Sequence, residues 1–177
     1  MTKKKPEKSE KNKKSEKNKL KAIFLDRDGV INLMYKGDWV RSWGRFVWLP
    51  GSREALALIK EKGYLCIVIT NQSCVGRGIV PRETVDEINR RMVADVGAAG
   101  GRIDAVYVCP HRPDAGCDCR KPATANFERA MKDYNLSADE FIFIGDNDSD
   151  RKAAENVKCG YEMVDEKRTL LDVVKNL

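Results

Sequence analysis

Histidine is almost absent from this chain: His111 is the one imidazole in 177 residues. Nucleophilic catalysis of the Ser-His-Asp or Cys-His kind would have to be built around that residue alone. Long apolar runs are missing as well. Nothing approaches the ~20 apolar residues that a membrane-spanning helix needs, so no membrane partner is expected. The Lys-rich start is followed only by the short apolar run 22–25, not by the roughly 7–15 apolar residues of an export signal. The expected location is the cytoplasm.

Between Thr2 and Lys19 the one apolar residue is Pro6. Nine lysines and three glutamates give residues 1–19 a surplus of six positive charges, equal to the +6 of the whole chain. The remainder is close to neutral, so the basic pI near 9.0 belongs to this stretch. Such a composition cannot bury enough surface to offset chain entropy. Residues 1–19 are expected to be a disordered, solubilising tail, or at most a weak tether to nucleic acid or an anionic surface. Residues 20–177 are expected to form one domain, long enough to bury about two-thirds of its unfolded surface.

Six cysteines are present, Cys66, Cys74, Cys109, Cys117, Cys119 and Cys159. Three of them cluster with His111 in a chain without an export signal, which favours a metal site over a disulfide framework. Cys109, His111, Cys117 and Cys119 offer three thiolates and one imidazole, a tetrahedral structural zinc set with no open position for chemistry. With His111 so used, Cys74 lacks a base and reads as a packing thiol. Cys66 and Cys159 read as core or near-core residues.

From Leu20 onward apolar runs alternate with helical spacing. Strands are expected at 22–25, 64–69, 103–108, 141–144 and 161–164. Helices are expected at 53–62, from Pro81 to about Gly97, from Pro122 to about Tyr134, at 151–158 and at 169–177. This alternation predicts an α/β fold: a Rossmann-like parallel sheet with helices on both faces. No segment is long enough for a separate cap domain, and the zinc-stapled loop projects from the sheet. Asp26, Thr70, Cys109 and Asp146 each follow an apolar strand directly. Ligands of open α/β sheets bind at the carboxyl ends of strands, so four strand ends should converge on one crevice.

Asp26 and Asp28 stand two residues apart as the first strand ends, so their side chains start on the same side. Asp146, Asp148 and Asp150 bring further carboxylates from another strand end. Such a cluster repels itself and asks for a hard cation; Mg²⁺, held by few carboxylates and substrate phosphate, fits. In this reading Asp26 attacks phosphorus to form an aspartyl phosphate, and Mg²⁺ shields one anion from the other. Asp28 protonates the leaving oxygen and then activates water. Thr70 and Lys121 hold phosphoryl oxygens.

These motifs resemble the haloacid dehalogenase-like phosphatases: Asp-Arg-Asp-Gly at Asp26, Thr70 after the second strand, Lys121 before a helix, and Gly-Asp-Asn-Asp-Ser-Asp from Gly145. The resemblance covers residues 21–165 and implies a Rossmann-like fold. It also implies that Asp26 is the nucleophile and Asp28 the acid/base. Mg²⁺ is then bound by Asp26, Asp28 (through its backbone carbonyl) and Asp146. Within the family, the zinc loop with Arg120-Lys121-Pro122 and the run Thr70-Asn71-Gln72-Ser73 is similar to two groups. One cleaves D-glycero-D-manno-heptose 1,7-bisphosphate at the 7-phosphate, the other histidinol phosphate. Ser73, followed by Arg77-Gly78, is closer to the heptose group. Arg77 and Arg120 are available for a second phosphate.

Asn71, Gln72, Ser73, Arg77, Arg120 and Lys121 join Thr70 as the expected substrate contacts. Cys74 departs from the Gly usual in the heptose group, and Asn147 from the Lys that often follows the metal Asp. The segment 34–48, with Trp39, Trp43 and Trp48, could shape a sugar pocket or pack on the core. The resemblance implies a monomeric Mg²⁺-dependent sugar-bisphosphate phosphatase, acting on a small phosphorylated substrate, with a structural zinc. Its rivals are a histidinol-phosphate phosphatase first, then a nucleic-acid 3′-phosphatase guided by the tail and a non-catalytic zinc-stapled binding module.

Overall fold

The structure is a computed structural model that describes residues 20–177. The expectation for residues 1–19 lies outside the described residues. Five parallel strands form one sheet in the order β3-β2-β1-β4-β5: β1 Ala22–Leu25, β2 Leu65–Asn71, β3 Ala105–Cys109, β4 Phe141–Gly145 and β5 Gly160–Met163. No separate cap domain is present among the described residues.

β1 sits at the centre and all four of its residues are buried. Its alternation assigns it to two cores. Ile23 and Leu25 face one side, where they pack with Cys66 and Val68 of β2. On that side lie α1 (Ser52–Glu61), α3 (Arg82–Ala98) and α6 (Leu170–Lys175), through Leu56, Ile59, Ile88, Met92 and Val173. Ala22 and Phe24 face the other side, against α4 (Ala125–Tyr134) and α5 (Asp148–Val157), through Phe127, Ala153 and Ala154. Phe24 stacks on Phe141 with ring centroids 4.0 Å apart.

The order of the strands reverses at β1: β2 lies on one side of it and β4 on the other. The crevice of a doubly wound sheet opens at that switch point, beyond the carboxyl ends. Asp26 leaves β1 there, its N–H donating to the Ile144 carbonyl of β4 at 2.9 Å.

Several boundaries differ from the sequence expectation. β2 continues through Thr70 and Asn71, because these pair with Val108 and Cys109 of β3. A short helix not foreseen, α2 (Ser73–Gly76), follows it. Pro122 does not open α4. The Lys121–Pro122 peptide is cis, Ala123 N–H turns back to the Arg120 carbonyl at 2.8 Å, and the helix begins at Ala125. α5 starts three residues before the expected position. The Asn147 side chain caps it, accepting from the Ser149 and Asp150 N–H groups at 2.9 and 3.2 Å.

Candidate active site and cysteine loop

At the switch point, Lys121 Nζ lies 2.8 Å from Asp26 Oδ1 and 2.8 Å from Asp150 Oδ1. Asp26, Asp146 and Asp150 each bring a carboxylate oxygen to within 4.8 Å of the others. Two of these three carboxylates, Asp26 and Asp150, thus share one ammonium. Burial pushes the Asp26 carboxyl up to about 7, with Asp150 and Asp28 adding to the rise and Lys121 opposing it. Burial also raises Asp146, helped by Asp26, and it raises Asp150 against the pull of Lys121. For Lys121, burial alone would lower the pKa, but Asp26 and Asp150 outweigh it and the ammonium stays charged. The uncompensated negative charge and the all-oxygen donor set fit a hard divalent cation such as Mg²⁺.

Two glycines make this crowding possible. At Gly29, with φ +89°, an added Cβ would fall onto the Asp146 carboxylate. At Gly145 it would fall onto the Asp150 side chain. No residue with a Cβ fits either position without moving a carboxylate.

Asp28 stands slightly apart. Its Oδ1 accepts from Arg27 Nη2 at 3.1 Å and Asn32 Nδ2 at 2.9 Å. Its Oδ2 accepts from Arg27 Nη2 at 3.1 Å and Gln72 Nε2 at 2.6 Å. Gln72 Nε2 also donates to the Thr70 hydroxyl at 2.9 Å, so Thr70 keeps its own proton free for another acceptor.

A cavity of about 310 Å³ opens onto these groups. Asp26, Asp28, Thr70, Asn71, Ser73, Arg120 and Lys121 line it, with Asn147 and Ser149 at the start of α5. The facing wall comes from Met34, Tyr35, Asp38, Trp39 and Val40. Asp38 braces that wall: it accepts from Arg41 at 2.7 Å and Arg45 at 2.9 Å. Trp43 and Trp48 instead pack around Phe46, with centroids 4.9 and 5.0 Å away. Of the three tryptophans, only Trp39 shapes the cavity.

Nearly every expected residue is brought to this place, but two turn elsewhere. Gln72 is buried behind Asp28 and does not line the cavity. Arg77 sits over the Trp39 ring, 5.8 Å from its centroid, and does not line the cavity either. Asn71 lines it, yet its amide grips the Lys121 backbone: Lys121 N–H donates to Oδ1 at 3.1 Å, and Nδ2 donates to the Lys121 carbonyl at 3.2 Å. Arg120 Nη1 is buried beside the cavity and has no partner among the described residues. Sequence reasoning named Asp150 as a carboxylate but did not give it the lysine. It missed Arg27, Asn32 and Asn89 altogether. The spacing of Asp150 four residues after Asp146 was a signal for the first; nothing local pointed to Asn89, 62 residues from Arg27.

The four donors of the cysteine loop also lie within 4.8 Å of one another. Cys109–Cys117 and Cys117–Cys119 Sγ separations are 3.7 and 3.8 Å, and His111 Nδ1 is 3.7 and 3.2 Å from the Cys109 and Cys119 sulfurs. A tetrahedron with Zn–S bonds of about 2.3 Å has S···S edges of about 3.8 Å. The thiols are unpaired, so the set fits zinc and not a disulfide. The loop is tied to the cleft by its backbone. Gln72 N–H donates to the Cys109 carbonyl at 2.7 Å, and Gly76 N–H to the Pro110 carbonyl at 2.8 Å.

The lysine bridging two carboxylates thus stands at the switch point of a parallel sheet. The chain belongs to the haloacid dehalogenase-like hydrolases, whose family model matches residues 40–158, and it is therefore a hydrolytic enzyme. Its relatives are more specific. It is 38% identical over 136 residues to the D-glycero-beta-D-manno-heptose-1,7-bisphosphate 7-phosphatase of Pseudomonas putida, covering 76% of this chain and 77% of that one. It is also 38% identical over 137 residues to the corresponding alpha-heptose enzyme of Mycobacterium bovis, covering 77% and 72%. Among solved structures, the D,D-heptose 1,7-bisphosphate phosphatase of B. bronchiseptica, complexed with magnesium and phosphate, superposes with a TM-score of 0.83. It is 29% identical, and the match covers 89% of this chain and 97% of that one.

Proposed function

We propose that residues 20–177 form a catalytic domain that removes the 7-phosphate of D-glycero-D-manno-heptose 1,7-bisphosphate through a phosphorylated Asp26. The observation that carries the chemistry is Lys121 held between buried Asp26 and Asp150, with the half-buried Asp146 beside them. The similarity to heptose bisphosphate phosphatases supports the substrate.

Asp26 presents its carboxylate at the floor of the cavity and attacks phosphorus, forming an acyl phosphate as the ester bond breaks. Asp28, two residues on, gives its proton to the departing sugar oxygen. It then takes a proton from the water that hydrolyses the acyl phosphate. Thr70 donates its free hydroxyl proton to a phosphoryl oxygen, and Lys121 offsets the charge that develops there. Ser73 and Arg120 line the same cavity and offer further donors. Asp26, Asp146 and the Asp28 backbone carbonyl, with Asp150 alongside, would hold magnesium, whose charge would keep the nucleophile ionised. Cys109, His111, Cys117 and Cys119 would hold zinc, which would serve as a staple fixing Arg120 and Lys121 beside the phosphate.

The test is a substrate panel in saturating Mg²⁺: both anomers of the heptose bisphosphate, histidinol phosphate and a 3′-phosphorylated oligonucleotide. One heptose anomer should give the highest kcat/KM. A higher value for histidinol phosphate or the oligonucleotide would overturn the substrate assignment while leaving the chemistry intact.

A further inference from the structure

Arg27 is the largest side chain that the fold buries completely, and no step above uses it. Its guanidinium spans two partners. Nη2 donates to both oxygens of Asp28 at 3.1 Å, and Nη1 donates to Asn89 Oδ1 on α3 at 2.9 Å. Nε has no partner among the described residues. In a buried ion pair the attraction is largely offset by desolvation, so such a pair is weak support for stability. What a guanidinium supplies beyond charge is a rigid planar fork that fixes the direction of the carboxylate it holds.

The remaining contacts of Asp28 extend the same logic. Asn32 at 2.9 Å and Gln72 at 2.6 Å each add one further donor, to Oδ1 and Oδ2 respectively. The carboxylate is held from behind by three buried side chains, while its open side faces the cavity. Arg27 itself does not line the cavity, so it touches no substrate.

We propose that Arg27, braced by Asn89, is a positioning residue that aims Asp28 at the leaving-group oxygen. This rests on the reading of Asp28 as the acid. An acid matters in proportion to how badly the leaving group needs a proton. An alkoxide from a sugar phosphate needs one; 4-nitrophenolate does not. The positioning role therefore predicts a loss that depends on the leaving group, whereas a merely structural role predicts equal losses.

The experiment measures kcat/KM, which reports the steps up to the aspartyl phosphate, with a sugar phosphate and with 4-nitrophenyl phosphate. General acid catalysis typically contributes about 10²–10⁴-fold. Arg27→Met should lose about 100-fold on the sugar phosphate and less than about threefold on the aryl ester, at the low end of that range. Arg27→Lys should recover part of the loss, because charge returns without the fork. Asn89→Leu leaves the guanidinium in place and should show the same selective loss, about tenfold. It carries the test if Arg27→Met does not fold. Equal losses on both substrates, or none on either, overturn the proposal. Asp28→Asn is the control. If it is selective and the Arg27 and Asn89 variants are not, only the positioning role fails. If Asp28→Asn itself loses both equally, the acid assignment fails and this inference with it.

Discussion

The carboxylate cleft and the cysteine loop both gather four groups into one small space, but they do so by opposite routes. The loop completes its donor set within residues 109–119. The cleft draws Asp26, Lys121 and the pair Asp146 and Asp150 from three separate strand ends of the sheet. Attraction is built into the loop, since thiolates and imidazole become favourable neighbours around a metal. The cleft is built against repulsion: three carboxylates are pressed together and one buried lysine only partly relieves them. A short local set can serve as a staple. A long-range, like-charged set is held by the rest of the fold and stays available for chemistry.

The largest effect that would break this contrast is at Asp26. Asp26→Asn should leave no measurable turnover, yet the thermal midpoint of the metal-free protein should hold or rise, because one of the crowded charges is gone. A pH series sharpens the point. The folded carboxyl is raised from about 3.8 to about 7, so its folded form binds more protons between those values. Its contribution to stability is full below about pH 4 and is lost as pH climbs through 7. The difference in metal-free stability between wild type and Asp26→Asn should therefore shift against the wild type over that window. A flat difference in chemical denaturation would mean the cleft is not crowded as described.

Next in size is the loop. Elemental analysis should find about one zinc per chain in the wild type and none in Cys119→Ser. The substitution should cost about 3 kcal/mol, or roughly 6–12 °C in thermal midpoint for a chain of this size. Turnover should fall less than for Asp26→Asn. An unchanged midpoint would remove the staple role. A smaller effect is expected where the two regions meet. Asn71→Ala frees the Lys121 backbone and should lower kcat by about tenfold with little change in unfolding, since small misplacements of a charge-bearing group are costly. Full activity would show that Lys121 is placed by its ion pairs alone. The smallest effect should come from deleting residues 1–19, which we propose act apart from the catalytic domain. Rates on small substrates should stay within about twofold.

Much of this was legible in the sequence, for identifiable reasons. The strands announce themselves because a parallel sheet covered on both faces needs continuous apolar runs such as 22–25. The polar residue that ends each run marks the crevice. Helix starts were less legible. Pro122 reads as a first helical residue, but the backbone of Lys121 is gripped by Asn71 from 50 residues away, and α4 waits until Ala125. Asn71 and Gln72 look like substrate contacts because they follow Thr70. In the structure their amides turn to Lys121 and Asp28.

The sequence by itself determined the chemistry on offer: two carboxylates after one strand, a carboxylate pair after another, a lysine, and a closed Cys₃His set. Those depend on residue type and short spacing, which covalent geometry carries directly. Only the tertiary structure decided which charges share a partner. Lys121 bridges Asp26 and Asp150, and Arg27 turns inward to meet Asn89. Such pairings join side chains whose separation along the chain carries no information about their distance in space. The strand order of the sheet brings them together, and burial makes each pairing matter because water no longer screens it.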